Sequence, residues 1–292
     1  MSLLGRLARR LGLRRDCRVI WAGHGVVAEH DARSFLHRNA VSREAFARFL
    51  EARAFGNVDD ALGGRADALT VDDATRASAD AALMARERGH AVTLYVNPGV
   101  VERARAYWFT RMDVALDGTR AAACRFDGRD FALGDRAGKV ALRAAVRARA
   151  RAAGDPDAIV GELERALGTV DTPAPRAFAP LTRAELAELL AAGVTLGNHG
   201  WEHADAADAP ALAENLGRGR AWLAEHLGVA APDYCAPFGD TLPPGGVTPG
   251  LFRAWLLLDA ARPPGALPGG AFNRTAIDSR MLALDGARSR LS

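Results

Sequence analysis

Residues 66–96, ADALTVDDATRASADAALMARERGHAVTLYV, carry the pattern from which the fold of this chain is best predicted. The apolar segment Ala66–Val71 favours a buried strand, and the Ala-rich segment Ala77–Arg88 favours a helix. Gly89 ends that helix, and Ala91–Val96 is a second apolar, β-branched segment that stops at Asn-Pro-Gly. The stretch therefore predicts one strand–helix–strand unit.

The same alternation continues on both sides of this unit. Upstream, Cys17–Ala22 favours a buried strand, and Ser42 favours an N-cap for a helix that ends near Arg53. Downstream, Thr182 and Glu185 form the pattern of a capping box at the start of a helix. The remaining predicted elements are the end of that helix at Gly193, the strand Val194–Leu196, the helix Asn215–Leu227, the strand Tyr234–Ala236, a helix or apolar core segment over Leu251–Leu258, and a last strand over Ala271–Ile277. Such alternation predicts parallel strands surrounded by helices, with the chemistry beyond the carboxyl ends of the strands.

The alternation breaks between residues 100 and 180. Tyr107, Trp108 and Phe109 form an aromatic cluster that we expect to be exposed. Leu116–Leu133 predicts a hairpin, and Gly138–Leu167 predicts helices. A Pro-rich segment over 172–180 would lead back to the core. We therefore expect a basic tail over residues 1–16, and a single domain over 17–292 with an insertion at about 107–178.

The amino-acid composition limits the classes of protein to which this chain can belong. The chain has 292 residues, of which 49% are hydrophobic and 25% are charged, as in an ordinary globular protein. Its net charge of +3 is small, and Arg alternates with acidic residues along the chain, so we expect no nucleic-acid partner. Cys17, Cys124 and Cys235 are widely spaced and form no CxxC pair, which predicts neither a disulfide framework nor a thiolate zinc site.

The first residues combine leucine with arginine. On a helix, leucines 3, 4, 7 and 11 would share one face, and arginines 6, 9, 10 and 14 would occupy most of the rest. Such a helix would lie on a membrane surface, whereas the alternative is a solvated basic tail. No apolar run approaches the ~20 residues of a membrane span, and no signal peptide is recognisable. We expect a cytoplasmic protein, with peripheral membrane contact if the helix forms.

Two stretches at predicted strand ends carry residues suited to catalysis. LTVDDAT contains the adjacent carboxylates of Asp72 and Asp73, and GNHGWEH contains His199 and His203, four residues apart. Two imidazoles and one carboxylate are a common ligand set of hydrolytic metal sites. A turn would bring both carboxylates into one pocket, where one could bind a metal while the other accepts a proton from water. Alternatively, Asp73 caps the following helix, and the two histidines are inert loop residues.

These stretches resemble the motifs of the polysaccharide deacetylases of the NodB-homology type, carbohydrate esterase family 4. LTVDDAT is similar to that family's Thr-Phe/Tyr-Asp-Asp motif, and HGWEH is similar to its His-Ser/Thr-x-x-His motif. YCAPFG, over 234–239, is similar to its Arg-x-Pro-Tyr/Phe-Gly loop. The resemblance covers roughly residues 17–110 and 178–280. It implies an α/β fold, specifically a distorted (β/α) barrel with a helical insertion.

The resemblance also implies roles for single residues. Asp73, His199 and His203 would hold one divalent metal ion, with Zn as the first choice and Co or Ni as alternatives. Asp72 would be the catalytic base, and the backbone N–H of Phe238 would hold the oxyanion of the tetrahedral intermediate. The weaker candidates, for contact with substrate, are Trp108, Trp201 and Pro237.

The sequence departs from the family pattern at three places. No histidine follows His226, so the late Leu-x-His motif that supplies a general acid is missing. His24 at the end of the first strand is the candidate acid, and a buried structural histidine is the alternative. Gly200 replaces the Ser or Thr of the second motif. Cys235 replaces the Arg that steadies the base, a role for which Arg274 is the candidate, while Cys235 itself is expected to line the site.

The resemblance implies a metal-dependent hydrolase that removes the N-acetyl, or another short N-acyl, group from an amino sugar. The substrate would be an N-acylated amino sugar in a polysaccharide, a glycolipid or a small-molecule precursor. One alternative is a catalytically silent carbohydrate-binding relative, which the replacements at Gly200 and Cys235 would favour. Another is a deformylase or an amidase that acts on a different amide. Retention of both aspartates and both histidines favours the hydrolase, because a binding module needs no base beside a metal.

Overall fold

The computed structural model describes residues 18–170, 172–203, 209–230, 232–239, 252–267, 270–279 and 281–282. The predicted basic helix and Cys17 lie outside these ranges. The strands are β1 (Ile20–Gly23), β2 (Val26–Val27), β3 (Val41–Ser42), β4 (Phe55–Gly56), β5 (Asp67–Val71), β6 (Thr93–Val96), β7 (Ala123–Phe126), β8 (Arg129–Ala132), β9 (Thr195–Asn198), β10 (Tyr234–Cys235), β11 (Trp255–Leu257), β12 (Gly265–Ala266), β13 (Ala271–Asn273) and β14 (Thr275–Ala276). The helices are α1 (Arg43–Glu51), α2 (Val58–Leu62), α3 (Arg76–Glu87), α4 (Pro98–Arg103), α5 (Trp108–Gly118), α6 (Arg136–Ala152), α7 (Pro156–Leu167), α8 (Arg183–Ala191) and α9 (Ala209–Leu227), with a short 3₁₀ helix at Arg176–Phe178.

A mostly parallel sheet forms the centre of the molecule. Its strand order is β12-β13-β11-β10-β9-β6-β5-β1-β14, and β4 pairs with β5 beside this path. β12 pairs antiparallel with β13, whereas the other pairs in this sheet are parallel. All four residues of β6 are buried. Parallel strands that are covered on both faces need apolar residues at successive positions, which explains the apolar runs in the sequence.

The predicted last strand is two short strands separated by Arg274. Residues 271–273 pair with β11, and residues 275–276 pair with β1. One chain segment therefore contacts strands at opposite ends of the sheet order. β11 lies within residues 251–258, for which the sequence predicts either a helix or an apolar core segment. The prediction of a helix is wrong. The segment is buried, and apolar runs of this length do not distinguish a strand from a helix.

Side-chain caps begin several helices where the sequence predicts them. Ser42 accepts a hydrogen bond from the backbone N–H of Ala45 at the start of α1. Thr182 and Glu185 form a reciprocal capping box at the start of α8. The N-cap of α3 is Thr75, so the prediction that Asp73 caps this helix is wrong. Asp73 is thus available for another role.

Residues between β6 and β9 build a second hydrophobic cluster. The hairpin predicted within 116–133 is present as β7 and β8, and the predicted helical region forms α6 and α7. Tyr107 and Trp108 are only 3% and 6% exposed, so the expectation that this aromatic cluster is exposed is wrong. Trp108 packs into the second cluster with residues of α6 and α7, which bury it.

The described helices include none with the length and apolar character needed to cross a bilayer.

Candidate metal centre and catalytic site

The ends of β5 and β9 bring three side chains together. Both strands flank β6 in parallel, so their carboxyl ends lie at the same edge of the sheet. Oδ1 of Asp73 lies 3.5 Å from Nε2 of His199 and 3.5 Å from Nε2 of His203. The three side chains are almost completely buried. The structure therefore brings Asp73 beside His199 and His203, which lie far from it in the sequence.

A left-handed turn separates the roles of the two aspartates. Asp72 still follows the strand, because its N–H donates to the carbonyl of Gly23 at 2.9 Å. Asp73 and Ala74 then have φ angles of 74° and 45°, a region that side-chain-bearing residues seldom occupy. Asp is one of the residues that tolerates this conformation best. The turn is the one the sequence required if both carboxylates were to face one pocket.

The imidazole of His199 is oriented by a backbone carbonyl. Nδ1 of His199 lies 2.7 Å from the carbonyl oxygen of Cys235. A carbonyl can only accept, so Nδ1 carries a proton, and Nε2 is the ring nitrogen that faces Asp73 and could bind a metal. The ring of His203 is held differently, by edge-on contacts with Phe109 and Phe238, whose centroids lie 4.9 Å and 4.5 Å away.

Two buried polar atoms at this site have no hydrogen-bond partner among the described residues. They are Oδ1 of Asp73 and Nδ1 of His203. A buried carboxylate oxygen without a hydrogen bond is costly, and a cation would compensate it. Burial also lowers the pKa of His203 to about 3, which keeps the imidazole neutral and able to bind a metal. The donor set of two imidazoles and one carboxylate therefore fits a divalent metal ion.

The guanidinium of Arg274 binds the carboxylate of Asp72. Its Nη1 and Nη2 donate to Oδ1 and Oδ2 of Asp72, each at 2.8 Å, in a buried bidentate pair. Arg274 is itself oriented by Oγ1 of Thr70 at 2.9 Å and by the carbonyl of Leu257 at 3.1 Å. Burial alone would raise the pKa of Asp72, but the guanidinium outweighs this effect and holds that pKa well below its usual range. Asp72 is therefore ionised at neutral pH.

His24 and Cys235 complete the surroundings of Asp72. Nε2 of His24 lies 3.9 Å from Oδ2 of Asp72, and its side chain is 24% exposed. Sγ of Cys235 lies 3.7 Å and 3.8 Å from the two carboxylate oxygens, and burial raises the pKa of this thiol. Cys235, Asp72 and His199 form a second group of candidate metal donors. Because Arg274 already bonds both oxygens of Asp72, the group of Asp73, His199 and His203 is the better candidate to hold a cation.

The YCAPFG loop lies beside the ligand His203. Phe238 has a φ of 60°. Its ring is half-buried and contacts His203 and Trp108. Pro237 is buried in the same loop. The loop thus lies next to the candidate metal ligand His203.

The two tryptophans proposed for substrate contact have structural neighbours. Trp108 is buried against Phe109 and Phe238. Trp201 is half-buried, and the guanidinium of Arg218 lies 4.3 Å from its ring centroid. Its carbonyl accepts a hydrogen bond of 2.8 Å from the N–H of Gly99. Both tryptophans therefore contact other residues of the protein itself.

Sequence reasoning missed two polar residues at this site, Asn97 and Tyr107. Asn97 directly follows β6, the strand between those that carry the ligands, and this position was a usable signal. Tyr107 belongs to the aromatic cluster, and nothing local indicates that its hydroxyl reaches Asp73.

No protein-family model matches the sequence, and no curated protein matches it either. Solved structures do match the fold. IcaB from Ammonifex degensii is 17% identical with a TM-score of 0.51, and the match covers 94% of this chain and 97% of that one. The deacetylase PplD of Streptococcus pyogenes, in complex with acetate, is 13% identical with a TM-score of 0.54, covering 93% and 96%. A polysaccharide deacetylase from Bacillus cereus is 12% identical with a TM-score of 0.50, covering 93% and 68%. The chain therefore has the NodB-type fold of the polysaccharide deacetylases.

Proposed function

We propose that this protein is a metal-dependent deacetylase that hydrolyses the N-acetyl, or another short N-acyl, group of an amino sugar. The observation that carries the proposal is the convergence of Asp73, His199 and His203 beside a carboxylate, Asp72, that Arg274 keeps ionised. This arrangement lies at the carboxyl ends of parallel strands, where enzymes with such sheets place their chemistry.

The proposal includes the distorted (β/α) barrel predicted from the sequence. Support comes from the segment 271–276, which pairs with β11 through its first half and with β1 through its second half. We infer that this segment joins the two ends of the sheet order. It would also explain why Arg274, at the break between β13 and β14, lies beside Asp72 at the end of β5. The single domain over 17–292, with an insertion at about 107–178, is part of the same proposal.

Asp73, His199 and His203 would hold a divalent ion, with Zn as the first choice and Co or Ni as alternatives. When bound, such an ion supplies Lewis-acid activation of a water molecule and of the amide carbonyl. Asp72 accepts the proton of the attacking water, because Arg274 keeps it ionised and oriented. The backbone N–H of Phe238 donates to the developing oxyanion, a contact typically worth ~3 kcal/mol.

His24 is the proposed general acid for the leaving amine. The motif that normally supplies this acid has no counterpart after His226. His24 lies within 3.9 Å of Asp72 and is partly open to solvent, so a proton can reach it. It would donate that proton to the nitrogen as the C–N bond breaks, which releases a neutral amine and a carboxylate. Acetate, which accompanies PplD, would be the product of an N-acetyl substrate.

One of the two replacements that favour the silent carbohydrate-binding alternative has a counterpart in this geometry. That alternative rested on Cys235 in place of an arginine and on Gly200 in place of a hydroxyl residue. Arg274 supplies a guanidinium to the same carboxylate from another strand. A deformylase or a different amidase would use the same residues, so only the choice of substrate separates those alternatives from a deacetylase.

The metal content of the purified protein tests this proposal first. We expect near-stoichiometric Zn, Co or Ni in the wild type after dialysis without chelator, measured by plasma mass spectrometry. His199→Ala and Asp73→Ala should lose the metal, whereas Asp72→Asn should keep it and lose activity. Activity is then measured as acid release from N-acetylated and N-formylated amino sugars in parallel. A wild type without metal, which also fails to take up Zn, Co or Ni, would contradict the hydrolase.

A further inference from the structure

A buried polar pair, Asn97 and Tyr107, lies between the two loops that carry the candidate metal ligands. Both residues are almost inaccessible to solvent. Nδ2 of Asn97 donates to the carbonyl of His199 and, at 3.2 Å, to the carbonyl of Gly200. The single proton of the Tyr107 hydroxyl is shared, in a bifurcated hydrogen bond, between the carbonyl of Asp73 and Oδ1 of Asn97, which lies 3.1 Å away. One hydrogen-bonded network therefore joins the backbones of both loops.

Local structure does not account for these two side chains. Asn97 occupies the N-cap of α4, a position where Asn normally accepts a hydrogen bond from the helix backbone, but its side chain makes no such bond. Tyr107 occupies the N-cap of α5, likewise without a side-chain cap. Both polar groups turn towards the ligand loops instead. Their contacts are with residues distant in sequence, so their role belongs to the tertiary site.

The network bonds the ligand loop at the position where the second motif lacks a hydroxyl. Gly200 stands where the family that this sequence resembles has Ser or Thr. Glycine has no side chain, so this position offers no side-chain hydrogen bond. The amide of Asn97, on a different loop, donates to the carbonyls of two successive peptides, those of His199 and Gly200. The ligand loop is thus held from outside its own motif.

We propose that Asn97 and Tyr107 are positioning residues that set the geometry of the metal site by holding the Asp73 loop against the His199 loop. This inference rests on the proposed function, since it concerns the residues that would hold the metal. Neither residue touches substrate or offers a ligand. Residues that orient metal ligands typically change the affinity for the metal by roughly 10- to 100-fold when they are replaced.

The decisive experiment measures zinc affinity by competition with a chromophoric chelator. Tyr107→Phe removes only the hydroxyl, and we expect the zinc affinity to fall by about tenfold or more. Tyr95→Phe is the matched control, because Tyr95 is also fully buried and its hydroxyl has no partner among the described residues. We expect this control to bind zinc like the wild type. Asn97→Ala tests the other half of the network and should weaken binding in the same direction.

A second readout separates positioning from general destabilisation. The visible absorption spectrum of the cobalt-loaded protein reports ligand geometry, and it should change in Tyr107→Phe but not in Tyr95→Phe. Unchanged affinity and an unchanged spectrum in Tyr107→Phe would overturn the proposal. So would a loss of affinity fully explained by unfolding of the metal-free variant at the assay temperature. A wild type that binds no zinc or cobalt would instead remove the proposed function itself, so the two failures are distinguishable.

Discussion

Arg274 decides the charge of the candidate base. Asp72 is buried, and a buried carboxyl without a charged partner has a raised pKa. Two hydrogen bonds of 2.8 Å from the guanidinium of Arg274 reverse this effect. Thr70 and the carbonyl of Leu257 fix the guanidinium in turn. The ionisation of the proposed base thus depends on contacts between strands that are distant in sequence.

Replacing Arg274 by Met should shift the acid limb of the pH–rate profile. With Arg274 present, Asp72 stays ionised as the pH falls, until the pH reaches its depressed pKa. In Arg274→Met that pKa rises, so kcat/KM should be lost at a pH about 1 to 3 units higher than in the wild type. Arg274→Lys, which keeps a charge but not the bidentate geometry, should give an intermediate shift. An acid limb at the same pH in all three proteins would exclude Asp72 as the group that titrates.

At the scale of elements, the turn that ends β9 requires a glycine. Gly200 has a φ of 82°, and a Cβ at this position would lie 2.6 Å from Oδ1 of Asn215 on α9. That oxygen accepts a hydrogen bond of 2.7 Å from the N–H of Trp201. A side chain at position 200 would therefore have to displace the side chain of Asn215 and disturb this hydrogen bond. This contact explains why the second motif lacks its usual hydroxyl residue.

Gly200→Ser should consequently be harmful, although it restores the family pattern. The left-handed backbone costs about 1–3 kcal/mol for a residue other than glycine, and the contact with Asn215 adds to that cost. Gly89→Ser is the matched control, since Gly89 has a φ of 79° and open space where its Cβ would lie. We expect urea unfolding to show a larger loss of stability in Gly200→Ser than in Gly89→Ser, with zinc affinity reduced only at Gly200. Equal losses would mean that packing on α9 is unimportant.

Short-range patterns predicted most elements correctly because caps and periodicity act between neighbouring residues. Ser42 and the Thr182 capping box begin helices as expected. The exposed aromatic cluster was wrong because only the packing of α6 and α7 buries Trp108. The helix considered over 251–258 was wrong because β11, between β10 and β13, is a buried strand whose apolar run resembles that of a helix.

At the scale of the whole molecule, the candidate metal would join two distant parts of the chain. Asp73 follows β5, whereas His199 and His203 follow β9, and the second hydrophobic cluster lies between them in sequence. A ligand that binds only the folded state stabilises that state by an amount that grows with the logarithm of the free ligand concentration relative to Kd. The metal should therefore stabilise the global fold as well as the site.

Removing the metal with a chelator should lower the thermal midpoint of unfolding. At a free metal concentration of 100 times Kd, the expected stabilisation is about 2.7 kcal/mol. His203→Ala should show the same midpoint with and without chelator, because it lacks one ligand. The comparison is made by calorimetry at constant pH. A midpoint in metal-loaded wild type that does not respond to chelator would show that binding leaves the folding equilibrium unchanged.

The sequence by itself determined the alternation of strands and helices and the reactive residue types at the strand ends. Local propensities and caps specify these features without reference to distant residues. Only the tertiary structure decided that Arg274 pairs with Asp72 and that Asn97 and Tyr107 join the ligand loops. These contacts depend on the order of the strands in the sheet and on the elements that pack against it. Strand order follows from long-range packing, which no short segment of the chain encodes.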